Sequence, residues 1–263
     1  MRSVGFIGAG NMGFALAKGL ARRFPGIIIH VADRNPERIE LFRRELAGVR
    51  AHTNAAGVAE AAEAVFLAVK PQDYAGLLPG LRGTAALVLS IAPGVTIARL
   101  ERALPQARVV RVMPNTPCLV GEMAAGYACG RRVSAADREA VRELLEAAGR
   151  AVALEEPLLD AVTGVSGSGP AFVARLIEAF QEAGSRLGLP REAARELALQ
   201  TFRGTARLLQ ETGMEPEALV AAVSSTNGTT VAGRAVLEAS DLKEVLFRTV
   251  EAAARRSREL AGS

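Results

Sequence analysis

The stretch that decides the fold is Val4-Gly5-Phe6-Ile7-Gly8-Ala9-Gly10-Asn11-Met12-Gly13. Its apolar beginning predicts a buried strand, and the amphipathic pattern from Phe14 to Leu20 predicts a helix directly after it. Between the two lies a Gly-x-Gly-x-x-Gly turn. The first two glycines permit a sharp turn and the close approach of a pyrophosphate, and the third lets the helix pack tightly on the strand. The helix N-terminus adds N–H donors and a positive dipole end.

An acidic residue stands at the distance that such a turn requires. Asp33 lies 20 residues after Gly13, at the end of the next apolar run, residues 27–31. A carboxylate in that place can accept hydrogen bonds from the ribose hydroxyls of a dinucleotide. The sequence therefore predicts a dinucleotide-binding domain. The alternative is a tight turn between strand and helix that binds no ligand.

Composition argues against several other classes of protein. With 49% hydrophobic and 23% charged residues, the 263-residue chain is typical of a globular protein with sizeable cores. Arginines alternate with glutamates on helical faces, as in residues 37–45, which indicates solvated ion pairs. There is no Trp and there are only two Tyr, so stacking on bases is disfavoured. We therefore expect no nucleic-acid partner.

Membrane, metal and redox roles are not expected either. No apolar run reaches the roughly 18 residues of a membrane span. Cys118 and Cys129 lack metal-ligand spacing, which favours buried thiols over a disulfide or a metal site. The chain opens directly into a strand, without a pattern typical of a signal peptide. The prediction is a cytoplasmic protein.

Further short apolar runs alternate with helical patterns up to about residue 157. Runs that are apolar on both faces and separated by helices are typical of a parallel, doubly wound sheet. Ligands bind outside the carboxyl ends of such strands. The segments expected along that edge are Gly8–Gly13, Asp33-Arg34, Val69-Lys70-Pro71, Ile91-Ala92-Pro93 and Asn115.

From about residue 158 the pattern is helical. Helices are predicted over residues 171–187, 190–211, 216–223 and 230–260, with Pro near several starts and Gly after several ends. The predicted fold is therefore α/β: an N-terminal Rossmann-type domain, residues 1–157, and an all-α domain, residues 158–263. The second domain is more apolar than one small bundle needs, which favours subunit contacts.

A hydroxyl-rich turn over residues 224–233 precedes the last helical region. Hydroxyls and free N–H groups at a helix start can bind a carboxylate without a cationic side chain. The alternative is ordinary helix capping, for which one hydroxyl would suffice. A β-hydroxyacid dehydrogenase would carry a catalytic lysine on a helix after a glycine-rich turn. The helix after Gly167-Ser168-Gly169 has no lysine, so that class is disfavoured.

Several segments resemble the pyrroline-5-carboxylate reductase family over almost the whole chain. Family members usually read Ser-Pro-Gly-Gly-Thr-Thr where this chain has Ser225-Thr226-Asn227-Gly228-Thr229-Thr230, and Asn tolerates a positive φ, so the turn can still form. The other matching segments are Gly5–Met12, Phe66–Pro71, Val112–Pro117, Val162–Phe172, Gly228–Gly233 and Val250–Ala253.

The resemblance implies reduction of 1-pyrroline-5-carboxylate to L-proline by hydride transfer to the imine carbon. It implies that the N–H groups of Gly228 and Thr229 hold the carboxylate, and that the Thr230 hydroxyl meets the ring nitrogen as hydrogen-bond partner or proton donor. Ser166 and Ser168 would line the same pocket. A protonated imine needs no strong enzymic base, so His30 and His52 are expected at surface or strand-end positions without a catalytic role.

On the cofactor side the resemblance implies NADPH, with NADH also accepted. Asp33 favours NADH and Arg34 favours NADPH, so the preference stays open. Lys70 would lie beside the nicotinamide ribose and phosphates, the alternative being an ordinary exposed lysine at a strand end, and Asn54 would lie near the adenosine end. The cofactor-binding residues implied are Ile7, Gly8, Gly10, Asn11, Met12, Gly13, Asp33, Arg34, Asn54, Ala68, Val69, Lys70, Pro71, Ile91, Ala92, Pro93 and Asn115. No metal is expected.

The resemblance also implies a homodimer with interleaved helical domains, which in this family assembles further into rings such as decamers. Two alternatives remain: an imine reductase for another cyclic imino acid, such as a six-membered one, and a non-catalytic nucleotide-sensing protein with the same fold. The intact Gly228-Thr229-Thr230 beside an intact glycine turn disfavours the second.

Overall fold

The structure is a computed structural model that describes residues 1–226 and 228–262. Its contacts divide the chain into two compact units. The first comprises Met1–Ser168 together with the chain from Val250 onward, and the second is Gly169–Thr249. The predicted domain boundary after residue 157 stays a prediction, because a division by contacts and a division into domains need not coincide.

The first unit is built on one sheet of eight strands, in the order β3-β2-β1-β4-β5-β6-β7-β8. Every neighbouring pair is parallel except β6 and β7. The predicted α/β class, a mainly parallel sheet followed by helices, is confirmed. The strands are β1 Ser3–Ile7, β2 Ile28–Ala32, β3 Val49–Ala51, β4 Ala64–Leu67, β5 Leu87–Ser90, β6 Arg108–Met113, β7 Met123–Cys129 and β8 Gly149–Ala153.

Helices cover both faces of this sheet because its strands are apolar on both sides. On one face, Phe6 and Phe66 stack with ring centroids 5.1 Å apart, beneath α1 and α6. On the other, Leu67 packs with residues of α3 and α5. Up to Ser168, the α-helices of this unit are α1 Asn11–Arg23, α2 Pro36–Glu45, α3 Ala55–Ala61, α4 Tyr74–Leu77, α5 Ile97–Ala103, α6 Ala135–Glu146 and α7 Leu159–Val162.

The register brings the carboxyl ends of the central strands to one edge. Ile7 at the end of β1 pairs with Ala32 at the end of β2 and with Leu67 at the end of β4. Leu67 in turn pairs with Ser90 at the end of β5. The loops after these strands therefore meet along a single line, as the sequence predicts for a ligand-binding edge.

The chain from Gly169 is helical, as predicted, with α8 Gly169–Arg186, α9 Arg191–Thr212, α10 Pro216–Ala222, α11 Thr229–Glu238 and α12 Leu242–Gly262. The region predicted as residues 230–260 is thus two helices separated at residues 239–241. Within the second unit, α8 packs on α9, where Phe180 and Phe202 meet edge to face at 5.2 Å. Large apolar side chains stay exposed in this unit, among them Phe180, Leu187, Val236 and Phe247.

Two further features concern membrane spans and the two cysteines. Among the helices described, none is both long and apolar enough to cross a membrane. Cys118 and Cys129 are both free thiols; Cys118 is buried, as predicted, and burial raises its pKa to about 12, whereas Cys129 is half-buried.

Candidate active site

A cleft of about 800 Å³ opens at the carboxyl ends of β1, β2 and β4, within the first unit. Nine of the residues predicted to bind a cofactor line it: Ile7, Gly8, Gly10, Asp33, Arg34, Asn54, Ala68, Val69 and Lys70. Several that the sequence analysis missed line it too, namely Ala32, Thr53, Ala55, Gln72, Asp73, Gly76 and Leu77. Gln72 and Asp73 directly follow the predicted Lys70-Pro71, so proximity in sequence was the available signal.

The three glycines of the opening turn have three different environments. Gly8 has a φ of +99°, and a Cβ there would lie 2.7 Å from the backbone of Ala68. At Gly13 a Cβ would lie 2.7 Å from the carbonyl oxygen of Gly8, so the helix approaches the strand too closely for any side chain. Around Gly10 a Cβ would meet no atom within 4 Å. Gly8 and Gly13 are thus required by the fold, whereas Gly10 borders open space in the cleft.

The carboxylate of Asp33 is hydrogen-bonded to the backbone of the same turn. One of its carboxylate oxygens accepts the N–H of Ala9 at 2.6 Å, and the other accepts the N–H of Asn35 at 2.8 Å. Each oxygen has a second lone pair that can still accept a ribose hydroxyl. The neighbouring Arg34 extends into solvent, where its Nη2 lies 2.8 Å from Oδ1 of Asp73.

Lys70 and Asn54 lie at other parts of the cleft wall. The Lys70 side chain is exposed and has no ion pair within the described part of the chain. Asn54 caps α3, since its Oδ1 accepts the N–H of Gly57 at 2.9 Å. Asn54 therefore has a structural task, and its place in the cleft leaves its amide nitrogen available to a ligand.

The other eight predicted cofactor residues do not line this cleft, and their contact with a cofactor stays a prediction. They are Asn11, Met12, Gly13, Pro71, Ile91, Ala92, Pro93 and Asn115. Asn115 uses its side chain within the protein instead. It is buried, its Nδ2 donates to the carbonyl of Ser166 at 3.1 Å, and its Oδ1 accepts the N–H of Ala124 at 2.9 Å. Because both polar atoms are occupied, Asn115 positions Ser166.

Ser166 belongs to a π-helical turn, Thr163–Gly167, which the sequence did not predict. Its hydroxyl donates to the carbonyl of Val162 at 3.1 Å, and the N–H of Ser168 donates to Thr163. Gly164 and Gly167 were the available sequence signal, and the structure gives the reason for both. A Cβ on Gly164 would lie 2.5 Å from the Val250 carbonyl oxygen, and a Cβ on Gly167 would lie 2.5 Å from the side chain of Met113. Single π-turns occur frequently at functional sites.

The second predicted site, at the start of α11, lies in the second unit. Gly228 caps this helix, and a Cβ there would lie 2.4 Å from Oγ of Ser225. Its N–H donates to the carbonyl of Ser225 at 2.9 Å. In this structure the turn itself uses that N–H, and its predicted contact with a carboxylate stays a prediction.

The remaining donors of that turn lie one and two residues further on. Thr229 and Thr230 occupy the first turn of α11, where backbone N–H groups lack intrahelical partners, and both residues are exposed. The hydroxyl of Ser224 donates to Val220 at 2.6 Å, so it belongs to α10. Asn227, and with it the replacement of the usual Pro-Gly by Thr226-Asn227, lies outside the described residues.

The expected surface or strand-end position is wrong for His30. It lies within β2, opposite Gly5, and only 4% of its surface is exposed. Its Nδ1 is 2.8 Å from Nε2 of His52. Burial lowers the pKa of His30, and the charges of His52 and Arg50 lower it further. The apolar residues around it in sequence gave no sign of this pairing.

Two family models match separate parts of the chain. A family model described as pyrroline-5-carboxylate reductase dimerisation matches residues 156–260. One described as NADP oxidoreductase coenzyme F420-dependent matches residues 3–94.

Relatives and solved structures are similar over nearly the full length. The chain is 40% identical to a pyrroline-5-carboxylate reductase of Corynebacterium melassecola, over 99% of each protein. The structure of a pyrroline-5-carboxylate reductase from Coxiella burnetii superposes with a TM-score of 0.94 at 33% identity, over 98% of each chain. The Plasmodium falciparum pyrroline carboxylate reductase, solved with NADP bound, gives 0.82 at 28% identity, over 99% of this chain and 98% of that one.

Proposed function

The chain belongs to the pyrroline-5-carboxylate reductase family, and we propose that it reduces 1-pyrroline-5-carboxylate to L-proline with NADPH as hydride donor. The observation that carries the proposal is the opening turn. Gly8 and Gly13 are tight against backbone, while Gly10 between them borders open space in a cleft large enough for a nucleotide. A turn of that construction suits a pyrophosphate.

The residues of the cleft fit a dinucleotide. The Gly8–Gly13 turn and the N-terminus of α1 would hold the pyrophosphate, and Asp33 would accept ribose hydroxyls. Arg34 supplies a guanidinium for the 2′-phosphate of NADPH, and the exposed ammonium of Lys70 supplies a second cation. NADPH, when bound, supplies the hydride. NADH is accepted as a second donor, because Asp33 suits an unmodified ribose.

The substrate needs orientation more than acid–base chemistry. Its ring nitrogen arrives protonated, so hydride addition to the imine carbon gives a neutral amine directly. The free N–H groups at the start of α11, chiefly that of Thr229, bind the carboxylate together with the helix dipole. The Thr230 hydroxyl hydrogen-bonds the ring nitrogen. The side chain of Asn115 holds the Ser166 carbonyl in place, and contact of Ser166 and Ser168 with the substrate stays a prediction.

The exposed apolar side chains of the second unit support a homodimer. Monomeric proteins seldom leave many large apolar residues in water, and here they recur on α8, α9, α11 and α12. A partner chain that interleaves its helices with these would cover them, and such dimers can assemble further into decameric rings. We place this assembly in the cytoplasm.

An assay that follows NADPH oxidation tests both the reaction and the role of Thr230. Purified protein is expected to oxidise NADPH when given 1-pyrroline-5-carboxylate, and faster than when given its six-membered homologue. Thr230→Ala should lower kcat at least about tenfold, since the hydrogen bond that positions the ring nitrogen is lost, while the matched Thr230→Ser keeps most of it. No oxidation with either NADPH or NADH would refute the proposed function. An unchanged kcat in Thr230→Ala would refute only the role of the hydroxyl.

A further inference from the structure

The adenosine end of the cleft contains an ion pair that joins two of its walls. Nη2 of Arg34, after β2, lies 2.8 Å from Oδ1 of Asp73, after β4. Both residues line the cleft. Arg34 is 88% exposed in its side chain, whereas Asp73 is 27% exposed. The pair therefore consists of an exposed arginine and a more enclosed carboxylate.

Asp73 is held in place by the residue after it. Tyr74 is completely buried, its hydroxyl donates to the carbonyl of Leu67 at 3.1 Å, and it shares a second hydrogen bond with Oγ of Ser90 at 2.8 Å. The backbone N–H of Asp73 also donates to the carbonyl of Lys70. Because this segment is anchored to the ends of β4 and β5, the carboxylate is a fixed feature of the cleft.

Within the described residues, the other acid nearby, Asp33, forms no ion pair with Arg34. Both oxygens of Asp33 already accept backbone N–H groups of the glycine turn and of Asn35. Among the described residues, the ion pair of Arg34 is with Asp73 alone. Asp73 thus offsets the charge of Arg34, which is the one arginine among the described residues that line the cleft.

We propose that Asp73 is a specificity-determining residue: by neutralising Arg34 it reduces the preference of this protein for NADP(H) over NAD(H). A phosphate monoester carries close to two negative charges, so it gains from a free arginine and loses beside a carboxylate. The unmodified ribose of NAD(H) carries no charge there and is indifferent to the pair. The inference rests on the proposed function in one respect only, that the cleft binds a nicotinamide dinucleotide.

Binding of NADP⁺ and NAD⁺, measured by calorimetry without any imine substrate, tests the inference. Asp73→Asn keeps the size of the side chain and removes its charge. We expect NADP⁺ to bind about threefold to tenfold more tightly, because Arg34 is released from an exposed ion pair and one charge that repels the phosphate is removed. The affinity for NAD⁺ should be unchanged. The gain should shrink in high salt. Glu146→Gln, which removes the same charge from a pair with Arg142 outside the cleft, should change neither affinity.

Arg34→Ala, alone and combined with Asp73→Asn, completes a double-mutant cycle. This variant should weaken NADP⁺ binding alone, and in its background Asp73→Asn should have a clearly smaller effect. Weaker NADP⁺ binding in Asp73→Asn would overturn the inference, because it would make Asp73 a positioning residue for Arg34. The inference would also be overturned if Asp73→Asn left the ratio of NADP⁺ affinity to NAD⁺ affinity unchanged. The same holds if Asp73→Asn had its full effect in the Arg34→Ala background. If the natural protein bound neither nucleotide, the proposed cofactor would fall as well.

Discussion

The substitution Gly10→Ala should separate stability from cofactor binding. Gly10 has φ −68° and ψ 179°, values open to any residue, and a Cβ there meets nothing within 4 Å. Restricting the unfolded chain stabilises by about 0.4–1 kcal/mol, and alanine is a poorer helix cap than glycine by a similar amount. The free energy of unfolding should therefore change by less than about 1 kcal/mol, or about 2–4 °C in Tm.

Cofactor binding should respond quite differently. The new methyl group occupies the space in which the pyrophosphate would approach the backbone, so we expect at least tenfold weaker NADP⁺ binding, about 1.4 kcal/mol. Gly13→Ala is the matched control: its Cβ would lie 2.7 Å from the Gly8 carbonyl oxygen, a backbone atom that cannot swing away. That variant should lose about 1–3 kcal/mol of stability.

Thermal unfolding by circular dichroism and calorimetric titration with NADP⁺ measure the two effects on the same samples. Natural affinity in a well-folded Gly10→Ala variant would refute the assignment of the glycine turn to the pyrophosphate. A large loss of stability in that variant would refute the description of Gly10 as bordering open space.

Two further predictions concern buried polar groups. Asn115→Ala leaves the Ala124 N–H and the Ser166 carbonyl without their partner, so unfolding should become easier by about 1–3 kcal/mol, seen as a lower urea midpoint; an unchanged midpoint would contradict the positioning role. The pKa of His30 lies below its ordinary 6.5 in the folded protein. The unfolded chain therefore takes up the proton first as pH falls, and stability should decline below about pH 6.5. His30→Asn should flatten that decline in urea unfolding between pH 5 and 7, and an identical slope would count against it.

The sheet and its binding edge could be predicted because local patterns determine them. Runs such as Ala64–Leu67 are apolar on both faces and are broken by Pro or Gly, which is enough to indicate buried parallel strands. Gly8 and Gly13 likewise show their requirement in the motif itself. The order of the strands then brings the loops to one edge without any further information.

Contacts between distant residues could not be predicted in the same way. Arg34 and Asp73 are 39 positions apart, and His30 in β2 pairs with His52, which directly follows the neighbouring strand β3. Nothing in the spacing of these residues records which side chains will meet. The hydrogen bond from the Gly228 N–H to the Ser225 carbonyl could not be predicted either, because it depends on the exact path of a short turn.

Following the transferred hydrogen tests directly whether the protein reduces 1-pyrroline-5-carboxylate to L-proline. Purified protein is incubated with 1-pyrroline-5-carboxylate and NADPH that carries deuterium at the transferable C4 position, and the product is analysed by chiral chromatography and mass spectrometry. We expect L-proline with one deuterium at C5, the former imine carbon. Absence of proline, or proline without the label, would contradict it.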